Sequence, residues 1–382
     1  MTNPLDLERR ADREAAAGNL WLARQSLEDA VKAGSGSVEL WTKLAAIRRA
    51  TGDFTGALAA VESGLALAPL DFSALLARAM LLDRLADPRA PEAFANAVAQ
   101  LPRDRDVPAA LASTVEHAKS RALAHQQSLE DRLLKSLPDG LRPDEQSRLK
   151  RFASNISRRT RHFHQEPTNF HFPGMPEIEF HDPKAFPGLV ELEAATDAIR
   201  AEYEALVAMK TAELVPYAQY PDHVPLAQWR ELNNSRDWTA IHLVQNGVPV
   251  EANARHCPVT LGLLAKLPQP AIPGAGPNVM FSLLAPRTRI PPHTGVANVR
   301  LVSHLALVVP PDCGFRVGAS VREWKVGEAF VFDDTIEHEA WNDSDELRVV
   351  LIFDLWAPAL DLAEREAVAR MVAATGVAFK GG

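Results

Sequence analysis

The sequence predicts an α+β multidomain protein: an all-α array of helical repeats, then a β-sandwich or jelly-roll domain with flanking helices. Three observations carry that prediction. The first hundred residues are rich in Ala and Leu, poor in β-branched residues and periodic at helical spacing. Within them a motif recurs every 34 residues. From about Trp238 onward, short β-runs alternate with turn residues at the spacing of a sandwich or barrel. At 382 residues the chain is long enough for two domains, each with its own core.

The repeats come first. Gly18-Asn19-Leu20 and Gly52-Asp53-Phe54 stand 34 residues apart, Ala23 and Ala57 keep that offset, and a further copy begins near Ala86-Asp87. The second copy ends with Pro69 and the third with Pro102. This period resembles the tetratricopeptide repeat, in which small residues let two helices approach, a turn separates them and a proline ends the second. Stacked helix pairs bury their faces only against neighbours and leave a groove in which a peptide or protein segment can lie. A plain helical hairpin domain without a ligand is the alternative.

Residues 105–165 read as further helices, "ALASTVEHAKSRALAHQQSLEDRLLKSL" most clearly. The basic run "RLKRFASNISRRTRHFHQ" at 148–165 reads as a solvated helix face. At Pro167 the composition changes. "EPTNFHFPGMPEIEFHDPKAFPGL" concentrates prolines, aromatics and histidines, as an irregular lead into a new fold does. Residues 186–212 return to a helix, and six β-runs follow: "WTAIHLVQ", "PNVMFSLLAP", "RLVSHLALVVP", "FRVGA", "EAFVFDD" and "ELRVVLIFDLW". The expected domains are therefore helical repeats over 1–125, a helical linker over 126–165 and a jelly-roll domain over 166–382.

Composition narrows the function. Hydrophobic residues at 47% and charged residues at 24% are ordinary for a globular protein. A net charge of −8 gives no global affinity for nucleic acid or membranes. Cys257 and Cys313 are too few for a disulfide framework or a cysteine zinc site, and read as buried thiols. The N-terminal twenty residues lack the apolar core of a signal peptide, and no apolar stretch approaches membrane-spanning length. By elimination, a cytoplasmic protein is expected.

The chemistry gathers in the second half. In "PPHTGVANVRLVSHLALVVP" (291–310), His293 is followed two places later by Gly295, where oxygen-activating iron sites usually carry Asp or Glu. Alternation along the next strand puts Arg300, Val302, His304, Ala306 and Val308 on one face, opposite a leucine-rich packing face. On the last strand Arg348 shares a face with Val350, Ile352 and Asp354. A buried arginine there must meet an anion, either an internal carboxylate or a bound one. His338 stands 45 residues after His293 and ten before Arg348. Two such histidines can meet at one metal in a jelly roll, and imidazoles suit Fe(II), Zn and Cu about equally. The arginine tilts the choice toward a dicarboxylate cosubstrate. Asp333 and Asp334 either orient a ligand histidine or turn the chain before His338. Trp324, Trp341 and Trp356 read as core aromatics.

"HTGVANVRLVSHLALVVPPDCGFRVG" and "EWKVGEAFVFDDTIEHEAWNDSDELRVVLIFDLWAP", together with "FHFPGMPEIEFHDP", resemble the aspartyl/asparaginyl β-hydroxylase family from about Arg151 to the end. The resemblance implies a jelly-roll dioxygenase dependent on Fe(II), 2-oxoglutarate and O₂, in several members preceded by tetratricopeptide repeats. It implies His293 and His338 as the metal ligands, with Gly295 leaving the third place to water. It also implies Arg348 against the distal carboxylate of 2-oxoglutarate, and Ser282 and His304 as further cosubstrate contacts. Metal affinity should then depend on the cosubstrate. The sequence departs from the family's animal members at Val302, where they carry a second arginine; Arg300 remains, facing substrate or Glu339. The implied reaction converts 2-oxoglutarate to succinate and CO₂ while hydroxylating an unactivated C–H bond, first the β-carbon of Asp or Asn in a peptide or protein. A free amino acid or an acyl chain is the alternative substrate. The rival readings are a non-catalytic scaffold with a packing-only barrel and a zinc or manganese isomerase.

Overall fold

A computed structural model describes residues 3–34, 36–101, 111–209, 214–221 and 227–379. The chain divides into two compact units, Met1–Arg161 and His162–Gly382.

The first unit is helical: α1 (Pro4–Ala16), α2 (Leu20–Lys32), α3 (Val38–Ala50), α4 (Phe54–Leu67), α5 (Phe72–Arg84), α6 (Ala90–Ala99), α7 (Ala112–Lys135) and α8 (Pro143–Ile156). The 34-residue period is visible in the starts of α1, α3 and α5 at Pro4, Val38 and Phe72. Each hairpin turns through a left-handed residue, Gly18, Gly52 and then Ala86. Ser37, Asp53 and Asp71 cap the helices that follow them by accepting from the N–H of Leu40, Gly56 and Ala74. Ala23, Ala30, Ala57 and Ala79 are fully buried and let the helices close on Leu27, Leu40, Leu82 and Phe94. Pro102 lies outside the described residues. In the basic run at 148–165, Arg148, Lys150, Arg158, Arg159 and Arg161 are exposed. Arg159 pairs with Glu130 at 2.6 Å and Arg158 donates to Asn96 at 3.0 Å, so part of it is tied into the helical unit.

The second unit opens with an irregular stretch containing β1 (Phe180–His181). Where one helix was expected over 186–212, there are two, α9 (Leu189–Ala194) and α10 (Thr196–Ala208). The hydroxyl of Thr196 donates to the Glu193 carbonyl at 2.7 Å, a local bond that competes with helix continuation. Residues 210–213 lie outside the described residues. The remaining elements are β2 (Val215–Pro216), β3 (Trp238–Gln245), β4 (Val248–Pro249), α11 (Glu251–Ala254), α12 (Pro258–Leu264), β5 (Val279–Leu284), β6 (Thr288–His293), β7 (Arg300–Val308), β8 (Cys313–Val317), β9 (Ser320–Arg322), β10 (Ala329–Phe332), β11 (His338–Asn342), β12 (Arg348–Trp356) and α13 (Leu362–Thr375).

The strands form two antiparallel sheets. One runs β1-β10-β7-β12-β5-β3-β2 with β4 beside β3; the other runs β6-β11-β8-β9. The large sheet has two apolar faces. On one, Leu301, Leu305, Leu307, Val349, Leu351 and Phe353 pack with Leu192, Ile199 and Leu206 of the helices. On the other, Val302, Ala306, Val350 and Ile352 meet Ile290, Phe315, Val317 and Ala340 of the small sheet. The period-2 pattern of β7 and β12 thus sends their leucines outward to helices and Arg300, His304 and Arg348 into the space between the sheets.

Candidate functional site

Two histidines meet across a strand pair. His338 is the register partner of His293 in the antiparallel pairing of β11 with β6, and their ring centroids lie 4.0 Å apart. Each ring is fixed by its own chain. Nδ1 of His293 faces the Pro291 carbonyl at 2.8 Å, and Nδ1 of His338 faces the Ile336 carbonyl at 3.1 Å. A carbonyl only accepts, so the proton sits on Nδ1 and the lone pair is left on Nε2. Burial pushes the imidazoles down, His293 to about 3 and His338 to about 4, so both are neutral at pH 7. Two neutral rings with Nε2 lone pairs, oriented by backbone carbonyls, are the donor form a divalent metal requires.

The irregular stretch that opens the second unit holds the loop after His293. Thr168 N–H donates to the Gly295 carbonyl at 2.9 Å and Phe170 N–H to that of Val296. Gly295 itself donates to the Asp334 carbonyl at 2.6 Å. A Cβ at Gly295 would lie 2.0 Å from Oδ2 of Asp334. The place of a side chain at residue 295 is therefore filled by the carboxylate of Asp334, arriving from the turn before β11.

A chamber between the sheets is lined by His293, His338, Ser282, His304, Arg300 and Arg348, among others. Arg348 is 1% exposed. Its guanidinium lies 5.0 Å above the Trp324 ring, and its nearest hydrogen-bond acceptor is the Ser282 carbonyl, at 3.5 Å. No carboxylate among the described residues pairs with it, and its Nε is buried without a partner. Burial accordingly lowers its pKa to about 10. His304 lies beside it, stacked on Trp324, with Nδ1 buried and unbonded. Ser282 Oγ accepts from Trp238 Nε1 at 3.2 Å, which leaves its own proton free to donate. A buried cation flanked by free donors fits a carboxylate ligand.

Arg300 is the opposite case. It is 2% exposed and donates to Asp334 at 2.9 Å, with Asp354 3.4 Å from its other terminal nitrogen. It does not meet Glu339, which pairs with Arg316. Asp333 turns the chain: it accepts from the N–H and hydroxyl of Thr335 and from Gln165. Trp324 and Trp356 are buried, while Trp341 is half-buried under Arg289. Val302 lines the chamber with no polar group to offer.

The structure thus brings Ser282, His293, Arg300, His304, His338 and Arg348 to one chamber. Sequence reasoning missed three contributors. Trp324 floors the Arg348 pocket, Asp354 flanks Arg300, and Tyr217 lines the chamber stacked on Trp238 at 3.9 Å. Asp354 carried a signal, its shared strand face with Arg348; Tyr217 carried none. A separate, exposed group of His162, His164 and Glu177 has metal-ligand spacing but belongs to the irregular stretch and not to this chamber.

Residues 193–358 match the family model described as aspartyl/asparaginyl beta-hydroxylase. The aspartyl/asparaginyl beta-hydroxylase of Homo sapiens is 34% identical over 144 residues, 37% of this chain and 19% of that protein. The ornithine lipid ester-linked acyl 2-hydroxylase of Rhizobium tropici is 33% identical over 196 residues, 50% of this chain and 66% of that protein. Aspartate beta-hydroxylase domain-containing protein 2 of Homo sapiens is 32% identical over 208 residues, 53% of this chain and 54% of that protein. The chain thus spans about a fifth of the first relative, about two thirds of the second and about half of the third.

Proposed function

With residues 193–358 belonging to the aspartyl/asparaginyl beta-hydroxylase family, we propose that the second unit is a jelly-roll oxygenase that hydroxylates an unactivated C–H bond using Fe(II), 2-oxoglutarate and O₂. In this reading His293 and His338 hold the ion through Nε2. Arg348 takes the distal carboxylate of 2-oxoglutarate, Ser282 and His304 donate beside it, and the third protein ligand common in such sites is absent because Asp334 fills the space beside Gly295. The bound iron, with 2-oxoglutarate and O₂, supplies the oxidising equivalents. The protein's share is orientation and exclusion of water. Trp229 and Trp238 pack against His293, with ring centroids 5.0 and 6.4 Å away, and Phe315 and Phe332 pack against His338.

The observation that carries this reading is Arg348, a buried guanidinium without a carboxylate partner in the same chamber as the histidine pair. A packing-only barrel would gain nothing from keeping it. The proposed substrate is an Asp or Asn residue of a peptide or protein, hydroxylated at the β-carbon. The first unit is proposed as a tetratricopeptide-like array whose groove presents that segment. The acyl 2-hydroxylase among the relatives favours one alternative, an acyl chain.

The test is an anaerobic calorimetric titration of 2-oxoglutarate into the protein with and without Mn(II), followed by succinate formation with Fe(II) in air. Binding should strengthen at least tenfold with metal, and succinate should form. Metal binding with no 2-oxoglutarate binding would favour an isomerase, and neither would favour a scaffold.

A further inference from the structure

The charges and hydrogen-bonding atoms of the chamber point to the class of side chain that reaches it. This inference rests on the oxygenase reading above and deepens it: we infer that the residue hydroxylated carries no negative charge, and is an asparaginyl side chain in preference to an aspartyl one.

Cations are the first consideration. Among the described residues that line the chamber, Arg300 and Arg348 are the only guanidinium or ammonium groups. Arg300 is bracketed by Asp334 and Asp354, so its charge is already met within the protein. Arg348 has no carboxylate partner, and one dicarboxylate cosubstrate satisfies it. With Fe(II) and 2-oxoglutarate in place, the ion and the two arginines are already matched by Asp334, Asp354 and the dianion, so a second organic anion would carry net negative charge into a buried space, at a cost of several kcal/mol. Val302 and Met280, which also line the chamber from β7 and β5, are apolar and add no charge.

The vestibule repeats this neutrality. A larger cavity outside the histidine pair shares His293, Met280 and Tyr217 with the chamber and has no Lys, Arg, Asp or Glu among its described lining residues. Carboxamides line it instead, among them Asn169, Gln219, Gln228, Gln245 and Asn246, interleaved with Tyr220 and Trp229. The amide groups are ill-suited to an acyl chain, which would leave them desolvated without partners. They suit a neutral polar polypeptide segment.

Unpaired atoms supply the third observation. In the chamber, Arg300 has Nε and Nη1 buried without hydrogen-bond partners, while Asp334, bonded to it through Oδ2, has Oδ1 buried and unpaired. A donor group and an acceptor thus stand side by side. In the vestibule Asn246 has Oδ1 buried and unpaired as well. A carboxamide offers a carbonyl to the guanidinium and an N–H to the carboxylate, and so answers both. A carboxylate offers acceptors only and would face Asp334 with like charge. Sites that leave a buried polar group unpaired with the wrong ligand discriminate strongly against it.

The experiment uses the full chain and two peptide pools of identical flanking composition, one with a fixed central Asn and one with a fixed central Asp. Dissociation constants are measured by fluorescence anisotropy without oxygen, with Mn(II) and 2-oxoglutarate present. Hydroxylation is then read as a 16 Da mass gain with Fe(II) in air. The Asn pool is expected to bind and react at least tenfold better. Equal or better binding and turnover of the Asp pool would overturn the inference while leaving the oxygenase reading intact. Turnover of an acyl lipid with neither peptide pool would overturn it too. Absence of 2-oxoglutarate binding would remove the oxygenase reading and this inference together. As a second measurement, V302R places a guanidinium in the chamber and should shift the Asn-to-Asp binding ratio at least tenfold toward Asp. A folded V302R with an unchanged ratio would also count against the proposal.

Discussion

Two arginines lie in one chamber, equally deep, and their surroundings could hardly differ more. Arg300 at the start of β7 has a carboxylate on each side. Arg348 at the start of β12 has an aromatic ring, a distant carbonyl and an unbonded Nε. Burial raises the pKa of neither by itself. It is the two aspartates that push Arg300 up, whereas desolvation alone dominates at Arg348 and pulls it down. The difference separates a guanidinium whose charge is met inside the protein from one that no carboxylate among the described residues meets. A buried charge left unbalanced is a candidate ligand contact, and that is the ground of the cosubstrate role proposed for Arg348.

The largest effect that follows is on stability. Arg300→Met leaves Asp334 and Asp354 buried next to each other without their shared cation. The expected cost is about 3–5 kcal/mol of unfolding free energy, the range for breaking a buried ion pair from one side. Urea denaturation measures it, and a loss under about 1 kcal/mol would mean that the triad does little for the fold.

Arg348→Met is expected to invert that result. Depression of the Arg348 pKa from its ordinary value to about 10 corresponds to roughly 3 kcal/mol held against the protein at pH 7. Removing the charge while keeping the packing should leave stability unchanged or raise it by about 1–2 kcal/mol. Affinity for 2-oxoglutarate should fall about a hundredfold, the worth of a charge-assisted bidentate contact. If Arg348→Met proved as destabilising as Arg300→Met with 2-oxoglutarate affinity retained, the distinction between the two arginines would collapse.

What the sequence made legible follows the same line. Strands with clean alternation emerge from it nearly residue for residue: "WTAIHLVQ" is β3, and Arg348–Trp356 is β12. The shared inward direction of Arg300 and His304 also follows from period 2 alone. The two strands that carry the histidine pair do not. β6 contains Pro291 and Pro292, which a strand at the edge of a sheet tolerates and an interior one would not. β11 reads "HEAWN", too short and polar to signal a strand. That Asp334 and Asp354 would meet Arg300 was not legible, for a different reason. Asp334 and Asp354 lie 34 and 54 residues beyond it, and only the pairing of β7 with β12 and the turn before β11 bring them together. In the helical unit the information is local, so the repeat period carried over directly into helix starts. The single helix expected over 186–212 broke at Ala195 because a side-chain hydroxyl there outcompeted the pattern.

The smallest of these effects apportions Arg300 between its two partners. Asp334 receives a hydrogen bond from Arg300 at 2.9 Å, whereas Asp354 lies 3.4 Å from Nη1, and Nη1 makes no hydrogen bond. Asp354 is held from elsewhere: its Oδ2 accepts from the Asn278 N–H at 2.7 Å and from the Asn278 side chain at 3.2 Å. Asp354→Asn keeps an acceptor for the Asn278 N–H and removes a buried charge whose pKa burial already raises. Loss of attraction to Arg300 and relief of desolvation then largely offset. The expected cost is about 1 kcal/mol, with 2-oxoglutarate affinity unchanged because Arg348 is untouched. A loss as large as that of Arg300→Met would mean that Asp354, and not Asp334, is the carboxylate holding Arg300. Asp334 would then hold no share of the Arg300 charge, and both its oxygens, not the unpaired Oδ1 alone, would face the ligand side of the chamber.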